Sequence, residues 1–98
     1  GAVILYHHGK AVGVVRGAKD EFEDKPIMNI GPLAIIPEYQ GKGLGRLLLR
    51  VSLQIAKDNG YDRTILCVNG ENERAKALYI QEGFLEVEGV TCYKYALV

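Results

Sequence analysis

Three glycines at alternate positions form the segment of this sequence best suited to chemistry. Residues 40–45 read Gln-Gly-Lys-Gly-Leu-Gly and lie between an extended apolar run and the start of a helical pattern. Such glycines let the backbone approach a ligand without Cβ clashes, and the N–H groups at a helix start have no helical acceptor. The helix dipole adds about half a positive charge at that end. The spacing therefore predicts an anion site suited to a diphosphate.

The turn does not match the two common nucleotide motifs. A dinucleotide fingerprint needs glycine where Arg46 stands, and a P-loop needs a lysine and a hydroxyl residue that are absent at the required offsets. A glycine-rich turn before a helix can also be a turn that only needs flexible residues. The surrounding elements must distinguish these interpretations.

The first part of the chain predicts three strands. Residues 2–6 and 11–15 are β-rich and flank Gly9, which is typical of an antiparallel hairpin. The polar stretch 17–25 predicts a loop, and residues 27–36 predict a long third strand. Because a proline cannot donate a ladder hydrogen bond, we expect regular pairing to break near Gly31-Pro32. The break would leave backbone groups free for another partner.

The second part predicts two helices and three more strands. Apolar residues recur at three- and four-residue steps from Leu44 onwards, which indicates an amphipathic helix. The predicted elements are a helix from Leu44 to a cap at Gly60, a buried strand at 64–68, a helix from an N-cap at Asn72 to Gln81 or Glu82, and a closing hairpin at 84–88 and 91–97.

Composition excludes several classes of protein. The chain has 98 residues, with 12 lysines and arginines against 12 aspartates and glutamates, so the charge balance does not favour nucleic acid or a membrane surface as a partner. No apolar run approaches the ~18 residues of a spanning helix. Cys67 and Cys92 suggest two buried thiols in a reducing cytoplasm rather than a disulfide or a zinc site, so we expect a soluble cytoplasmic protein without a metal.

Two separated motifs resemble one family. Residues 33–48, which contain the glycine turn, resemble the acetyl-CoA signature of the GNAT superfamily of N-acetyltransferases: Gln or Arg, two residues, Gly, one residue, Gly or Ala. Residues 66–84 resemble that family's next strand and helix in order and spacing. The resemblance implies a mixed α/β fold, with a mostly antiparallel sheet, a splayed central strand pair and two helices packed on it. It implies a single domain over 1–98 that lacks the family's usual first strand and first helices.

The resemblance also implies a cofactor and its binding residues. The cofactor would be acetyl-CoA, with its pyrophosphate on the main chain of 41–46 and on Gln40, and its pantetheine arm paired with the backbone of 33–35 and bonded to Asn72. The implied set comprises Leu33, Ala34, Ile35, Gln40, Gly41, Lys42, Gly43, Leu44, Gly45, Arg46 and Asn72.

By the same likeness, the chain is an N-acetyltransferase for a primary amine on a small molecule or peptide, with the Tyr79 hydroxyl as the general acid for the departing thiolate. The glutamate that many members use as a base is replaced by Asn29. An ordered water chain could carry the proton, a carboxylate such as Glu21 or Glu23 could accept it, or activity could be low. The alternatives are a non-catalytic acyl-CoA sensor or scaffold and, less favoured, a general phosphate-binding domain. An exposed edge at residues 2–6 predicts a homodimer.

Overall fold

A β-hairpin begins the fold and confirms the first prediction. The computed structural model describes residues 2–22, 25–68, 73–87 and 92–97 of the chain. Strand β1 (Ala2–His7) pairs antiparallel with β2 (Lys10–Phe22). His8 and Gly9 between them have φ angles of 52° and 77°, the two positive values that a two-residue turn of type I′ requires.

The loop predicted at 17–25 is wrong, because β2 continues to Phe22. Strand β3 (Lys25–Ile35) pairs with it antiparallel along this length, down to Phe22 opposite Lys25. Asp20 and Glu21 are exposed at this end of the sheet. The segment is therefore polar because it is a paired strand in contact with solvent. Its backbone hydrogen bonds to β3 make it a strand.

Two helices and three strands complete the described part, close to the predicted boundaries. They are α1 (Leu44–Asp58), β4 (Arg63–Cys67), α2 (Glu73–Gln81), β5 (Leu85–Glu86) and β6 (Cys92–Ala96), with one short 3-10 turn at Pro37–Tyr39. The six strands have the order β1-β2-β3-β4-β6-β5, and β3 with β4 is the parallel pair. The predicted mixed, mostly antiparallel class is confirmed. Among the described residues, no helix has the length and apolarity needed to cross a membrane.

The parallel strands β3 and β4 separate halfway along their length. Their pairing runs from Met28 opposite Thr64 to Ile30 opposite Leu66, and then β3 continues beside β2 alone. Gly31 follows the last pair with φ 148°, a conformation that residues with a Cβ rarely adopt. The predicted break near Gly31-Pro32 is confirmed, and it leaves one edge of β3 without a sheet partner.

Both helices contribute to one core on one face of the sheet. Leu48, Leu49 and Ala56 of α1 are buried in the same cluster as Tyr79 of α2. The sheet and its connections supply the rest of this cluster, which comprises Val15, Met28, Ile30, Leu66, Phe84 and Tyr93. Because α1 and α2 pack on the same face, the start of α1 lies beside α2.

The two cysteines correct a prediction. Cys67 on β4 and Cys92 on β6 form a disulfide, and Cys67 is exposed, so the interpretation as two buried thiols is wrong. Strand β6 runs antiparallel to β4 in a register that places Cys92 directly opposite Cys67, with their Cα atoms 4.0 Å apart. The pairing depends on this register, which the spacing of 25 residues along the chain does not reveal.

Candidate functional site

A cleft of about 450 Å³ lies between the glycine turn and α2. Its lining comprises Leu33, Ile35, Tyr39, Gln40, Gly41, Gly43, Gly45, Arg46, Arg74, Ala75, Ala77, Leu78 and Gln81. Seven of the eleven residues predicted to bind the cofactor are among them. Ala34, Lys42 and Leu44 are not part of this lining, and Asn72 lies outside the described residues.

The turn before α1 has the geometry of an anion cradle. Gly41 and Gly43 both have φ 80°, and the first helical hydrogen bond runs from the Leu47 N–H to the Gly43 carbonyl at 3.1 Å. The N–H groups of residues 44–46 precede that bond, so they have no acceptor within the helix. Among the described residues other than its own chain neighbours, Gly43 has no heavy atom within 4 Å of the position of a Cβ. This open backbone fits a diphosphate, which needs several N–H donors and no side chain in the way.

Gln40 fastens the turn to β3. Its Nε2 donates a hydrogen bond to the Ile35 carbonyl at 3.0 Å. The side chain predicted to bind pyrophosphate therefore holds the turn against the strand end. The same contact occupies one of the β3 carbonyls that the sequence predicts as partners for the pantetheine arm.

Arg46 joins the two helices. Its guanidinium donates to the Glu82 carboxylate at 2.9 Å and to the Gln81 side-chain oxygen at 2.8 Å, and Arg50 also donates to Glu82. These contacts tie α1 to the end of α2. The guanidinium of Arg46, a residue of the predicted cofactor-binding set, is therefore already paired with Glu82 and Gln81. The Arg50 hydrogen bond, together with the charges of Arg50 and Arg46, lowers the pKa of Glu82 against the opposing effect of burial.

We expect Glu82→Gln to lower the melting temperature by a few degrees at about pH 7. Because the folded pKa of Glu82 lies below its usual value, the ion pairs stabilise the fold at neutral pH, and that contribution is lost as pH falls through the folded pKa. Thermal unfolding from about pH 7 to about pH 3 should show the two proteins converging in acid. Glu86→Gln removes an exposed carboxylate on β5 and is the control; a Glu82→Gln difference that stayed constant over this range would contradict the assignment.

Arg74 is a cleft residue that the sequence predictions missed. Its Nη2 atom would lie 3.3 Å from a Cβ placed on Gly41, and among the described residues it forms no ion pair. Arg74, Leu78 and Gln81 recur at helical spacing and therefore share one face of α2. That periodicity is the signal that would have identified Arg74. It supplies the cleft with a positive charge that Glu82 does not neutralise.

Tyr39 is the other missed residue at the cleft. Its hydroxyl lies 3.0 Å from Nδ1 of His7, which ties the 3-10 turn to the end of β1. The Lys42 ammonium is 5.8 Å from the centre of the Tyr39 ring. Lys42 thus lies next to the predicted anion site without lining the cleft.

Tyr79 lies in the core and not in the lining of the cleft. It is 6% exposed, and its ring packs against those of Phe84 and Tyr93 with centroids 5.9 Å away in each case. Burial raises the pKa of the Tyr79 hydroxyl above its usual value. Its neighbour Leu78 faces the cleft, so α2 presents one face to the cleft and buries Tyr79 beneath it. The hydroxyl keeps its proton at neutral pH.

A second depression, of about 480 Å³, differs in its chemistry. It is lined by Arg63, Gly83, Leu85, Lys94, Tyr95 and Ala96. The adjoining helix end is the C-terminal end of α2, at Gly83, which carries partial negative charge. Although Arg63 and Lys94 line this depression, its described lining lacks the free main-chain N–H groups that the start of α1 offers to an anion.

Curated relatives named acetyltransferases match this chain over a limited part of their own length. Mycothiol acetyltransferase from Beutenbergia cavernae is 47% identical over 55 residues, which cover 56% of this chain and 18% of that protein. The enzyme of the same name from Saccharomonospora viridis is 32% identical over 88 residues, covering 90% of this chain and 28% of that protein. This chain thus spans less than a third of these relatives.

Solved structures share the fold. A GNAT family N-acetyltransferase from Escherichia coli in complex with CoA aligns with a TM-score of 0.78 and 22% identity, over 99% of this chain and 58% of that one. A GNAT family acetyltransferase from Brucella melitensis in complex with acetyl-CoA aligns with a TM-score of 0.77 and 20% identity, over 97% of this chain and 56% of that one. The model of the acetyltransferase (GNAT) family matches residues 1–84, so the predicted family is confirmed and the chain belongs to it.

Proposed function

We propose that this domain binds acetyl-CoA in the cleft between α1 and α2 and transfers the acetyl group to a primary amine. The observation that carries the proposal is the set of main-chain N–H groups at 44–46, which have no helical acceptor and adjoin a cleft bordered by three glycines. Bound acetyl-CoA would supply the acetyl group as an activated thioester. Membership of the GNAT family supports this choice over other diphosphates.

The roles of the binding residues follow from their positions. The N–H groups of Leu44, Gly45 and Arg46 donate to the pyrophosphate, because charge-assisted hydrogen bonds from a helix start are the strong ones. The backbone of 33–35 lies beyond the point where β3 leaves β4, and its open edge pairs with the amides of the pantetheine arm as an added strand would. Asn72 also remains a proposed ligand of that arm, by likeness to the family.

In this mechanism Tyr79 is the general acid. The amine nitrogen attacks the acetyl carbonyl carbon and forms the C–N bond, the C–S bond breaks, and the Tyr79 hydroxyl gives its proton to the leaving thiolate. This role is carried over by likeness to the family; burial raises the pKa of Tyr79, so the phenol is protonated when the thiolate forms. Turnover requires that the phenolate then regain a proton from water.

A titration with acetyl-CoA tests the proposal. Ligand at about a hundred times its Kd should stabilise the fold by about 2.7 kcal/mol, observed as a rise in melting temperature and confirmed by calorimetry. ATP at the same concentration is the control for general phosphate binding, the third interpretation. The proposal fails if acetyl-CoA gives no shift, or if ATP competes with it equally.

We expect Arg74→Gln to weaken acetyl-CoA binding about tenfold, because a hydrogen bond to a charged group contributes about 1.5 to 3 kcal/mol and this side chain is exposed. Calorimetry should show no change for S-acetylpantetheine, which has no diphosphate. Lys76→Gln removes a charge from the same helix at a residue outside the cleft lining and is the matched control. An equal loss of affinity for both ligands would indicate that Arg74 supports the fold and does not bind the diphosphate.

A non-catalytic acyl-CoA sensor or scaffold is the second candidate. Asn29 favours it, because an amide cannot act as the base that many family members use. A sensor would bind acetyl-CoA with the affinity of an enzyme and release no thiol with any amine. Turnover assays across small amines, polyamines and peptides therefore separate the two.

We also propose that the domain forms a homodimer through β1. Among the described residues this strand is the last in the sheet order, and its Ile4 and Tyr6 side chains are 48% and 61% exposed. Exposed apolar side chains on such a strand favour pairing with a second copy. Size-exclusion chromatography with light scattering should show a dimer that Ile4→Lys dissociates, and a monomer at every concentration would contradict it.

By likeness to the family, the proposed acceptor is an amine on a small molecule or a peptide. The formal net charge of zero gives no general attraction for nucleic acid. Cytoplasmic localisation stays a prediction. The Cys67–Cys92 disulfide does not support it, because disulfides are typical of oxidising compartments.

A further inference from the structure

Asn29, which stands where the family's usual glutamate would, is hydrogen bonded to a carboxylate. Its Nδ2 donates to Oδ2 of Asp20 at 3.1 Å. We propose that Asp20 is the residue that receives the acceptor amine: it binds the ammonium as a counter-ion and takes its proton as the nitrogen attacks. This inference rests on the proposed acetyl transfer, and it assigns the base to a strand that the sequence had predicted to be a loop.

The location of Asn29 in the sheet gives access to the reaction. Its neighbours Met28 and Ile30 are buried in the core beneath α1, so Asn29 points to the opposite face of β3. Ile30 is also the last residue that pairs with β4 before the strands separate. Asn29 therefore lies one residue before the point where β3 and β4 separate, on the face of the sheet opposite Met28 and Ile30.

Asp20 reaches this position from β2. Ala18 is the cross-strand partner of Asn29, and Asp20 is two residues further along, which places it on the same face as Asn29. One carboxylate oxygen accepts from Asn29, and the other accepts from the Glu21 backbone N–H at 2.8 Å. Each oxygen keeps a further acceptor position, and the side chain is exposed, so an amine can bind it in this orientation.

The charge state suits a counter-ion. The backbone hydrogen bond from Glu21 and the side-chain bond from Asn29 lower the pKa of Asp20. The carboxylate is therefore ionised at neutral pH, where an alkylamine is protonated. Asn29 acts as a positioning residue, because its Nδ2 holds one oxygen of the Asp20 carboxylate and its amide cannot take a proton itself.

The neighbouring acid Glu21 is excluded by strand geometry. Successive side chains of β2 point to opposite faces, and Glu21 lies on the face that carries Gly17 and the core residue Met28. Glu23, the other acid predicted from the sequence, lies outside the described residues. Asp20 is thus the carboxylate that the described structure brings to Asn29.

The reaction balances with these groups. The ammonium first gives one proton to water and becomes a neutral amine, whose nitrogen attacks the acetyl carbonyl carbon. The second proton, acidified as the C–N bond forms, passes to Asp20, while the breaking C–S bond leaves a thiolate that takes the Tyr79 proton. Asp20 returns its proton to water, so the net products are an amide and CoA.

The first test compares three variants in a thiol-release assay with butylamine. Asp20→Asn should lower kcat/KM about 10²-fold, as expected for a general base, while the Kd for acetyl-CoA is unchanged. Glu21→Gln removes the same charge one residue away and should retain wild-type kcat/KM. The double variant Asp20→Asn with Asn29→Asp exchanges the two groups across the same hydrogen bond and should recover most of the loss. Unchanged turnover in Asp20→Asn, or no recovery in the exchange, would overturn the assignment.

A binding test works without turnover. Titration of the protein with butylamine should shift the backbone amide NMR signals of Asp20 and Asn29 in a saturable way, and 1-butanol should not. The shifts should disappear in Asp20→Asn and persist in Glu21→Gln. If acetyl-CoA failed to bind while butylamine still gave these shifts, the proposed function would be wrong and the amine site would stand. Absence of the shifts would overturn the amine site alone.

Discussion

Replacing Tyr79 with phenylalanine should lower kcat by about 10²- to 10⁴-fold, the usual contribution of a positioned proton donor. The change removes one hydroxyl and keeps the ring that packs against Phe84 and Tyr93, so the fold and the cleft should persist. Single-turnover thiol release measures the rate, and calorimetry with acetyl-CoA should give a nearly unchanged Kd.

Tyr93→Phe is the matched control for this experiment. Tyr93 is buried in the same aromatic cluster and has no role in the proposed chemistry, so its variant should turn over as the wild type does. An equal loss in both variants would indicate a general effect on the core. An active wild type whose rate Tyr79→Phe does not change would remove the proposed acid.

Replacing Gly45 with leucine should weaken acetyl-CoA binding about a hundredfold or more. A Cβ on Gly45 would lie 3.8 Å from Leu78 and 3.9 Å from Leu33, which is ordinary contact, but the rest of a leucine would occupy the cleft beside the free N–H groups. Losing two charge-assisted hydrogen bonds costs about 3 kcal/mol or more. Calorimetry with acetyl-CoA is the measurement.

The Gly45→Ala variant distinguishes a blocked cleft from a misfolded protein. Because Gly45 lies within α1, alanine should stabilise the helix by about 0.5 to 1 kcal/mol while adding only a Cβ to the cleft. We expect the alanine variant to melt higher and to bind acetyl-CoA far better than the leucine variant. Leucine binding as tightly as glycine would contradict an anion cradle at this turn.

Local signals in the sequence predicted the parts of the fold that depend on near neighbours. The glycine turn, the helical spacing from Leu44 and the stop at Gly60 each involve residues within a few positions of one another, and α1 ends at Asp58 as expected. The break at Gly31-Pro32 was predictable for the same reason, because proline removes a donor wherever it stands.

Contacts between distant segments could not be predicted in the same way. Asp20 meets Asn29, and Cys67 meets Cys92, only through the registers of paired strands, and a polar strand such as the end of β2 looks like a loop until its partner is known. The anion site at the glycine turn stays a prediction of the sequence, which could not show that the Arg46 side chain is held by Glu82. Cross-strand and interhelical partners follow from the assembled sheet.

The disulfide has a consequence for the wall of the cleft. It joins two points 25 residues apart and so turns α2, with its cleft-facing side, into part of a closed covalent ring. Closing a ring of this size lowers the conformational entropy of the unfolded chain, which stabilises the fold by about 3 kcal/mol. When it is reduced, α2 is held by its ion pairs, by its ring contacts and by the packing of Ala75 and Leu78 on the core, and we expect excursions of the helix into solvent to become more frequent. For the proposed acetyl-CoA site, affinity would then depend on the thiol chemistry of the surrounding compartment.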